Sequence, residues 1–180
     1  WGSALGQPYT LHFRTASLDP SIQFPYNIDT TFLTTQDNGV LAQVTNISSI
    51  PLTIGSLPLS DLVTMLGNNG YDFRHSYHPS DAESWTFQPD IPSNRSTTVT
   101  IPVSPDGQPR SPGLYFMRLN IPSDVGYTDT LLLAISHYQT TLKLSPTEAF
   151  VWAVDLNTNT PAAGLPVSVY DESGNLLTSG

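Results

Sequence analysis

The sequence predicts an all-β chain, an antiparallel β-sandwich with one short helix, and three observations predict it. Apolar residues recur at every second position through most of the chain, the period of a strand with one face buried. Clusters of Gly, Pro, Asn and Asp separate these runs at the short intervals typical of a sandwich. Hydrophobic residues make up 38% of the 180 and aromatic residues 10%, enough to fill a core despite 16 prolines.

The elements follow in order. "PYTLHFRT" sets Tyr9, Leu11 and Phe13 on one face and Thr10, His12 and Arg14 on the other, a strand. "ASLDPSIQFPYN" interrupts it as a linker, because Pro20 and Pro25 cannot donate to a ladder. "TTFLTTQDNGVLAQVTNISSIPLTI" predicts a hairpin turning at Asp37, Asn38 and Gly39, residues that tolerate positive φ, with Val40, Ala42 and Val44 facing inward. In "SLPLSDLVTMLGNNG" the spacing of Leu59, Leu62, Val63 and Leu66 is that of an amphipathic helix, with Ser56 as its cap and Gly67 as its stop.

The loop "NNGYDFRHSYHPSDAE" comes next, then strands at "SWTFQ", "STTVTIPV", "LYFMRLNI" and "TLLLAISHY". Gly113, at the turn into "LYFMRLNI", is expected at positive φ. After Tyr138 the pattern starts afresh: "TTLKLSPTEAFVWAVDL" turns at "NTNTPAAG" and returns as "LPVSVYDESG". About forty residues cannot cover both faces of a separate sandwich. This hairpin must therefore pack on the first domain or await further strands.

Charge and composition exclude several classes of function. Lys and Arg number 6 against 15 Asp and Glu, a formal net charge of -9, and no basic cluster exists to neutralise phosphates. Neither nucleic acid nor an anionic membrane is an expected partner. Charged residues are only 12% of the chain, the polar but weakly charged surface of a secreted protein. The absence of cysteine removes disulfides, thiol nucleophiles and zinc-thiolate sites, and in a secreted chain it fits a bacterial envelope. No run of eighteen apolar residues spans a bilayer. The opening "WGSALGQPYT" lacks the regions of a signal peptide, so any export or anchoring signal is expected upstream.

Four stretches carry a family resemblance. "FVWAVDLNTNTPAAGLPVSVYDESGNLLTSG" resembles the segment of bacterial alpha-2-macroglobulin-like proteins in which a Thr-x-x-Pro-x-x-Gly-x-Pro-Val turn leads into a Val-x-Val-Tyr-Asp strand. "SPGLYFMRLNIP" resembles the Pro-Gly-Leu-Tyr strand near the end of the preceding domain, and "VLAQVTNISSIPLTIGSLPLSDLV" is similar to its early strand pair with a helical insertion. "LGQPYTLHFRT" looks like the last strand of the Ig-like domain that often comes before.

The resemblance implies an Ig-like, macroglobulin-type sandwich over residues 23–138. Residues 1–16 would be the last strand of a preceding Ig-like domain, 17–22 a linker, and 139–180 the incomplete opening of a further macroglobulin-type domain. It further implies a non-catalytic module of a secreted or periplasmic protease trap. Its partners would be neighbouring domains of the same chain and, through the parent protein, proteases. The family's thioester needs a cysteine, and this sequence has none, so no functional residue of the family is carried over. The alternatives are an adhesive Ig-like module of a bacterial surface protein and a carbohydrate-binding β-sandwich.

No residue reads as catalytic, cofactor-binding or metal-binding, and no cofactor is expected. The richest polar stretch, residues 71–83, holds Asp72, His75, His78, Asp81 and Glu83. It could bind a divalent metal only by folding back on itself, and it reads as a solvated loop. "GSALG" places its serine second rather than third, so no nucleophile elbow exists, and phosphate-loop and calcium-loop spacings are absent. Trp1, Trp85 and Trp152 could form a sugar platform, but Trp85 and Trp152 alternate with aliphatic residues and read as core anchors. Asn46 with Ser48 and Asn94 with Ser96 match the glycosylation acceptor pattern, a coincidence in a bacterial chain.

Overall fold

The computed structural model describes residues 6–25, 30–67, 70–121, 129–171 and 173–180. Trp1 and Ser3 lie outside them. Its centre is a sandwich of two sheets. The first is antiparallel, with β3 (Gly39–Thr45) between β1 (Ser21–Gln23) and β6 (Thr97–Pro102). The second runs in the order β2 (Thr30–Thr34), β8 (Asp129–Ser136), β7 (Gly113–Leu119), β4 (Ile50–Ser56), β5 (Glu83–Phe87), and its β2–β8 pair is parallel.

Alternation decides what lies between the sheets. Val40, Ala42 and Val44 point inward as expected and meet Leu52, Ile54, Met117, Leu119, Leu131 and Leu133 in one buried core. Trp85 and Phe87 close its rim. Burial of this apolar area, at ~25 cal/mol per Å², is the main term holding the sheets together.

The expected hairpin at residues 30–45 does not form. β2 pairs with β8 in the second sheet while β3 pairs with β1 and β6 in the first, so the turn arches from one layer to the other. Asp37 stabilises the arch by accepting hydrogen bonds from the Thr34 amide and hydroxyl, 2.7 and 2.8 Å. None of residues 37–39 has positive φ. Gly39 is instead required by close approach, since a Cβ there would lie 2.3 Å from the Ile101 carbonyl oxygen.

The outer face of the second sheet is also covered, by two helices where one was expected. Helix α1 (Leu59–Leu66) starts after Pro58, not at Ser56, and its N-cap makes no side-chain hydrogen bond. Gly67 ends it in extended conformation, its amide donating to the Thr64 carbonyl. Helix α2 (Gly70–Ser76) occupies the first half of the expected loop. Phe73, Tyr77, Leu62, Met65 and Leu57 bury Phe116 and Leu132 beneath them. Gly70 lets the helices meet, because a Cβ there would fall 1.9 Å from the Met65 carbonyl oxygen.

Two arginines fasten this layer. Arg74 donates from α2 to the Thr130 hydroxyl at 2.8 Å, and Arg118 donates from β7 to the His75 and Tyr77 carbonyls, each at 2.8 Å. Arg118 thereby satisfies carbonyls that the end of α2 leaves without intrahelical partners.

Beyond Ser136 the chain passes almost directly into β9 (Tyr138–Leu144), which pairs with β10 (Ala149–Asp155) and, through it, β11 (Thr160–Pro161). β12 (Ser168–Tyr170) and β13 (Leu176–Ser179) form a separate pair. This part is joined to the sandwich where β8 ends: the Leu156 amide donates to the His137 carbonyl at 2.8 Å and Gln36 Nε2 donates to Asn157 Oδ1 at 3.3 Å. At the opposite end of the sandwich, β1 enters beside Thr45. Residues 8–20 carry no strand, and Tyr9, Leu11 and Phe13 are exposed.

Candidate functional site

The polar residues of 71–83 are dispersed among local tasks. Asp72 lies exposed in the first turn of α2. His75 stacks on Tyr71, ring centroids 4.1 Å apart, with Nδ1 3.0 Å from the Tyr71 carbonyl. His78 Nδ1 lies 2.8 Å from the Ser76 carbonyl. Asp81 accepts from the Ser56 amide at 2.9 Å and hydroxyl at 2.6 Å, and Glu83 pairs with Arg110 at 2.6 Å. Among the described residues no three His, Cys, Asp or Glu side chains gather as a metal site. His75→Ala and His78→Ala are each expected to change stability by less than about 0.5 kcal/mol. Neither zinc nor calcium should raise the wild-type Tm, a result checked by thermal scans with and without each ion.

Two titrations report on how this segment is held. The Ser56 hydroxyl, then its amide, stabilises the Asp81 carboxylate and lowers its pKa below 3.8. That contribution is present above the ordinary pKa and is lost as pH falls below it. Tyr77 Oη donates to Asp61 Oδ2 at 2.9 Å. Burial, followed by the bond to Asp61 and its charge, pushes the Tyr77 pKa up from 10.0 to about 12. The folded state favours the neutral phenol, so this contribution is intact below pH 10 and is lost as pH rises toward 12. Tyr77→Phe should flatten the fall in stability between pH 10 and 12, read from urea midpoints across that range.

The notable surface is apolar. Trp152 is not a core anchor: it is 48% exposed, and Phe150, two residues away on the same face of β10, is 56% exposed. Lys143 and Thr141 stand opposite them on β9. The other face carries Leu142 and Leu144, also exposed. Where β8 becomes β9, a groove of about 500 Å³ is lined by Phe32, Leu33, Ala134, Tyr138 and Leu156. Phe32 is 76% exposed there, on the face that the helices cover elsewhere. Sequence reading missed Phe32 because the expected hairpin gave its strand a different neighbour.

At the entry end, Asn46 and Asn94 adopt positive φ, 52° and 58°. Asn46 Nδ2, the atom a glycan would occupy, donates to the Leu18 carbonyl at 2.6 Å and to Asn94 Oδ1 at 3.1 Å. The Asn94 amide in turn donates to Asn46 Oδ1 at 2.6 Å. The atom that a glycan would occupy at the first matched asparagine is thus engaged in this network.

No family profile and no curated protein sequence matches the chain. Solved structures do. The chain is similar to Escherichia coli alpha-2-macroglobulin over domains MG0-NIE-MG1, with a TM-score of 0.68 and 14% identity. That match covers 93% of this chain and 56% of the other. It is similar to the NIE-MG1 portion of that protein at TM-score 0.68 and 15% identity, covering 92% of this chain and 84% of the other. Against Salmonella alpha-2-macroglobulin reacted with methylamine the TM-score is 0.61 at 14% identity, and the match covers 91% of this chain but 10% of that one. The resemblance drawn from sequence holds at the level of fold: the chain has the mainly β architecture of these domains. No described helix is long and apolar enough to cross a membrane.

Proposed function

We propose that this chain is a non-catalytic structural module of a bacterial alpha-2-macroglobulin-like protein of the periplasm or cell exterior, whose parent acts as a protease trap. The observation that carries the proposal is the arrangement of the two ends. The chain enters the sandwich beside Thr45 and leaves it at the opposite end, beyond Ser136, and both flanking segments present exposed or half-exposed apolar side chains among the described residues. A module joined end to end with others is built in this way, because each neighbour covers what the module leaves bare. On this reading residues 23–138, with Ser21 and Ile22 added to the first sheet by β1, are the sandwich, 1–16 come from the end of the domain before it although their described part carries no strand here, 17–20 remain linker, and 139–180 are the first strands of the domain after it.

The test uses the parent protein. Cleavage by an added protease should compact it, seen as a smaller radius of gyration in solution scattering; an unchanged radius after complete cleavage would remove the trap reading. A parent made of identical Ig repeats with a wall anchor would favour the adhesive alternative. Trp152 supplies a second measurement. In variants that keep Trp152 as their single tryptophan, acrylamide should quench it in the 180-residue chain and lose access to it in the longer parent, where a following sheet covers Phe150 and Trp152. Equal quenching in both would sink the assignment of residues 139–180. The Phe150–Trp152 row also favours the sugar-binding alternative, and binding on a glycan array that Trp152→Ala abolishes would establish it.

A further inference from the structure

We propose that Asn46 and Asn94 form a clamp that grips the backbone of Leu18 and fixes the direction in which the upstream chain enters the sandwich. Leu18 stands three residues before β1, and both polar groups of its backbone are engaged: its amide donates to Asn94 Oδ1 at 3.0 Å and its carbonyl accepts from Asn46 Nδ2 at 2.6 Å. The two asparagines lock each other, Asn46 Nδ2 to Asn94 Oδ1 at 3.1 Å and the Asn94 amide to Asn46 Oδ1 at 2.6 Å. Three separate segments meet in this network: the linker, the end of β3 and the turn before β6.

Asparagine suits both places for two reasons at once. It tolerates the left-handed conformation that each backbone adopts, and its amide head offers the acceptor used at 94 and both the donor and the acceptor used at 46. Aspartate keeps the acceptor but not the donor, and glycine keeps the conformation but neither polar group. Because the grip is on backbone atoms, the side chain at position 18 does not decide it. The linker residues before Leu18 are exposed, so in the described chain the clamp and β1 are what orient them. The consequence for a preceding module rests on the scaffold reading; the clamp itself does not.

The test is amide exchange in the 180-residue chain, read at Leu18 and, as a core reference, at Val44. In the wild type the Leu18 amide should exchange about tenfold or more slowly than the amides of Thr10 and Leu11. Asn94→Gly should abolish that protection and Asn46→Gly should reduce it, with Val44 unchanged in both. Asn94→Asp should preserve it, since the acceptor remains, and Leu18→Ala should preserve it because the contacts are to backbone. Full protection in Asn94→Gly, or free exchange at Leu18 in the wild type, would overturn the clamp. So would an equal loss at Leu18 and Val44, which would mark a general loosening of the fold. Trp152 quenching is indifferent to all of these variants, so failure of the clamp and failure of the scaffold reading are distinguishable.

Discussion

Gly70→Ala is expected to destabilise the protein by about 3 kcal/mol or more, the upper range for atoms forced into packed space. The new methyl group would lie 1.9 Å from the Met65 carbonyl oxygen and 2.4 Å from its carbon, both backbone atoms that no side-chain rotation can move. Relief requires α2 to part from α1, and that would uncover Phe116 and Leu132. Gly67→Ala is the control: its Cβ would meet carbonyl oxygens only at 3.5 Å, an ordinary contact, and its φ of -78° suits any residue. Urea midpoints for the two variants should therefore differ widely, and equal midpoints would refute the close packing of the helix pair.

Phe116→Ala is expected to cost about 4 kcal/mol, within the range for emptying a buried aromatic site. Phe116 is 1% exposed, meets Tyr77 edge-on at 5.2 Å between centroids, and lies beneath the Arg118 guanidinium at 5.5 Å. Removing it strips the platform on which Leu57, Met65 and Tyr77 rest. Trp152→Ala, at a site half in solvent, should cost about 1 kcal/mol or less in this chain. The larger residue would thus matter less than the smaller one, and chemical denaturation of the two variants checks that order. A Phe116→Ala cost below that of Trp152→Ala would sink the placement of the helical layer. Gly113→Val, expected from sequence to strain a positive φ, should be mild: Gly113 has no positive φ, and its nearest foreign contact is the Tyr115 ring at 3.4 Å.

Particular residues show why some of this was legible. Strict alternation in "GVLAQVT" announced a strand with one face buried, and Val40, Ala42 and Val44 are buried there. The run "TLLLAI" does not alternate, which is the mark of a strand covered on both faces. Leu131 and Leu133 join the core between the sheets, Leu132 meets the helices, and Ile135 is buried. Helix α2 left a signal as well: Gly70, Phe73, Arg74 and Tyr77 keep the i, i+3, i+4, i+7 spacing and are the residues turned inward. It escaped notice because a glycine and an arginine do not count as apolar, although one supplies close approach and the other a grip on Thr130.

Sequence by itself determined most of the strands, though not β1 or the absence of one at 8–15, and also the inward face of β3, the existence of α1, and the acidic, cysteine-free character that excludes whole classes of chemistry. These are local properties, written in the spacing of neighbouring residues. Only the tertiary structure decided which sheet each strand joins, that β2 runs parallel to β8, that Asn46 and Asn94 hold Leu18, and that Phe150 and Trp152 stay in solvent. Each of those depends on residues far apart in the chain being brought together. An alternating pattern states that a face must be covered, and it carries no information about what covers it.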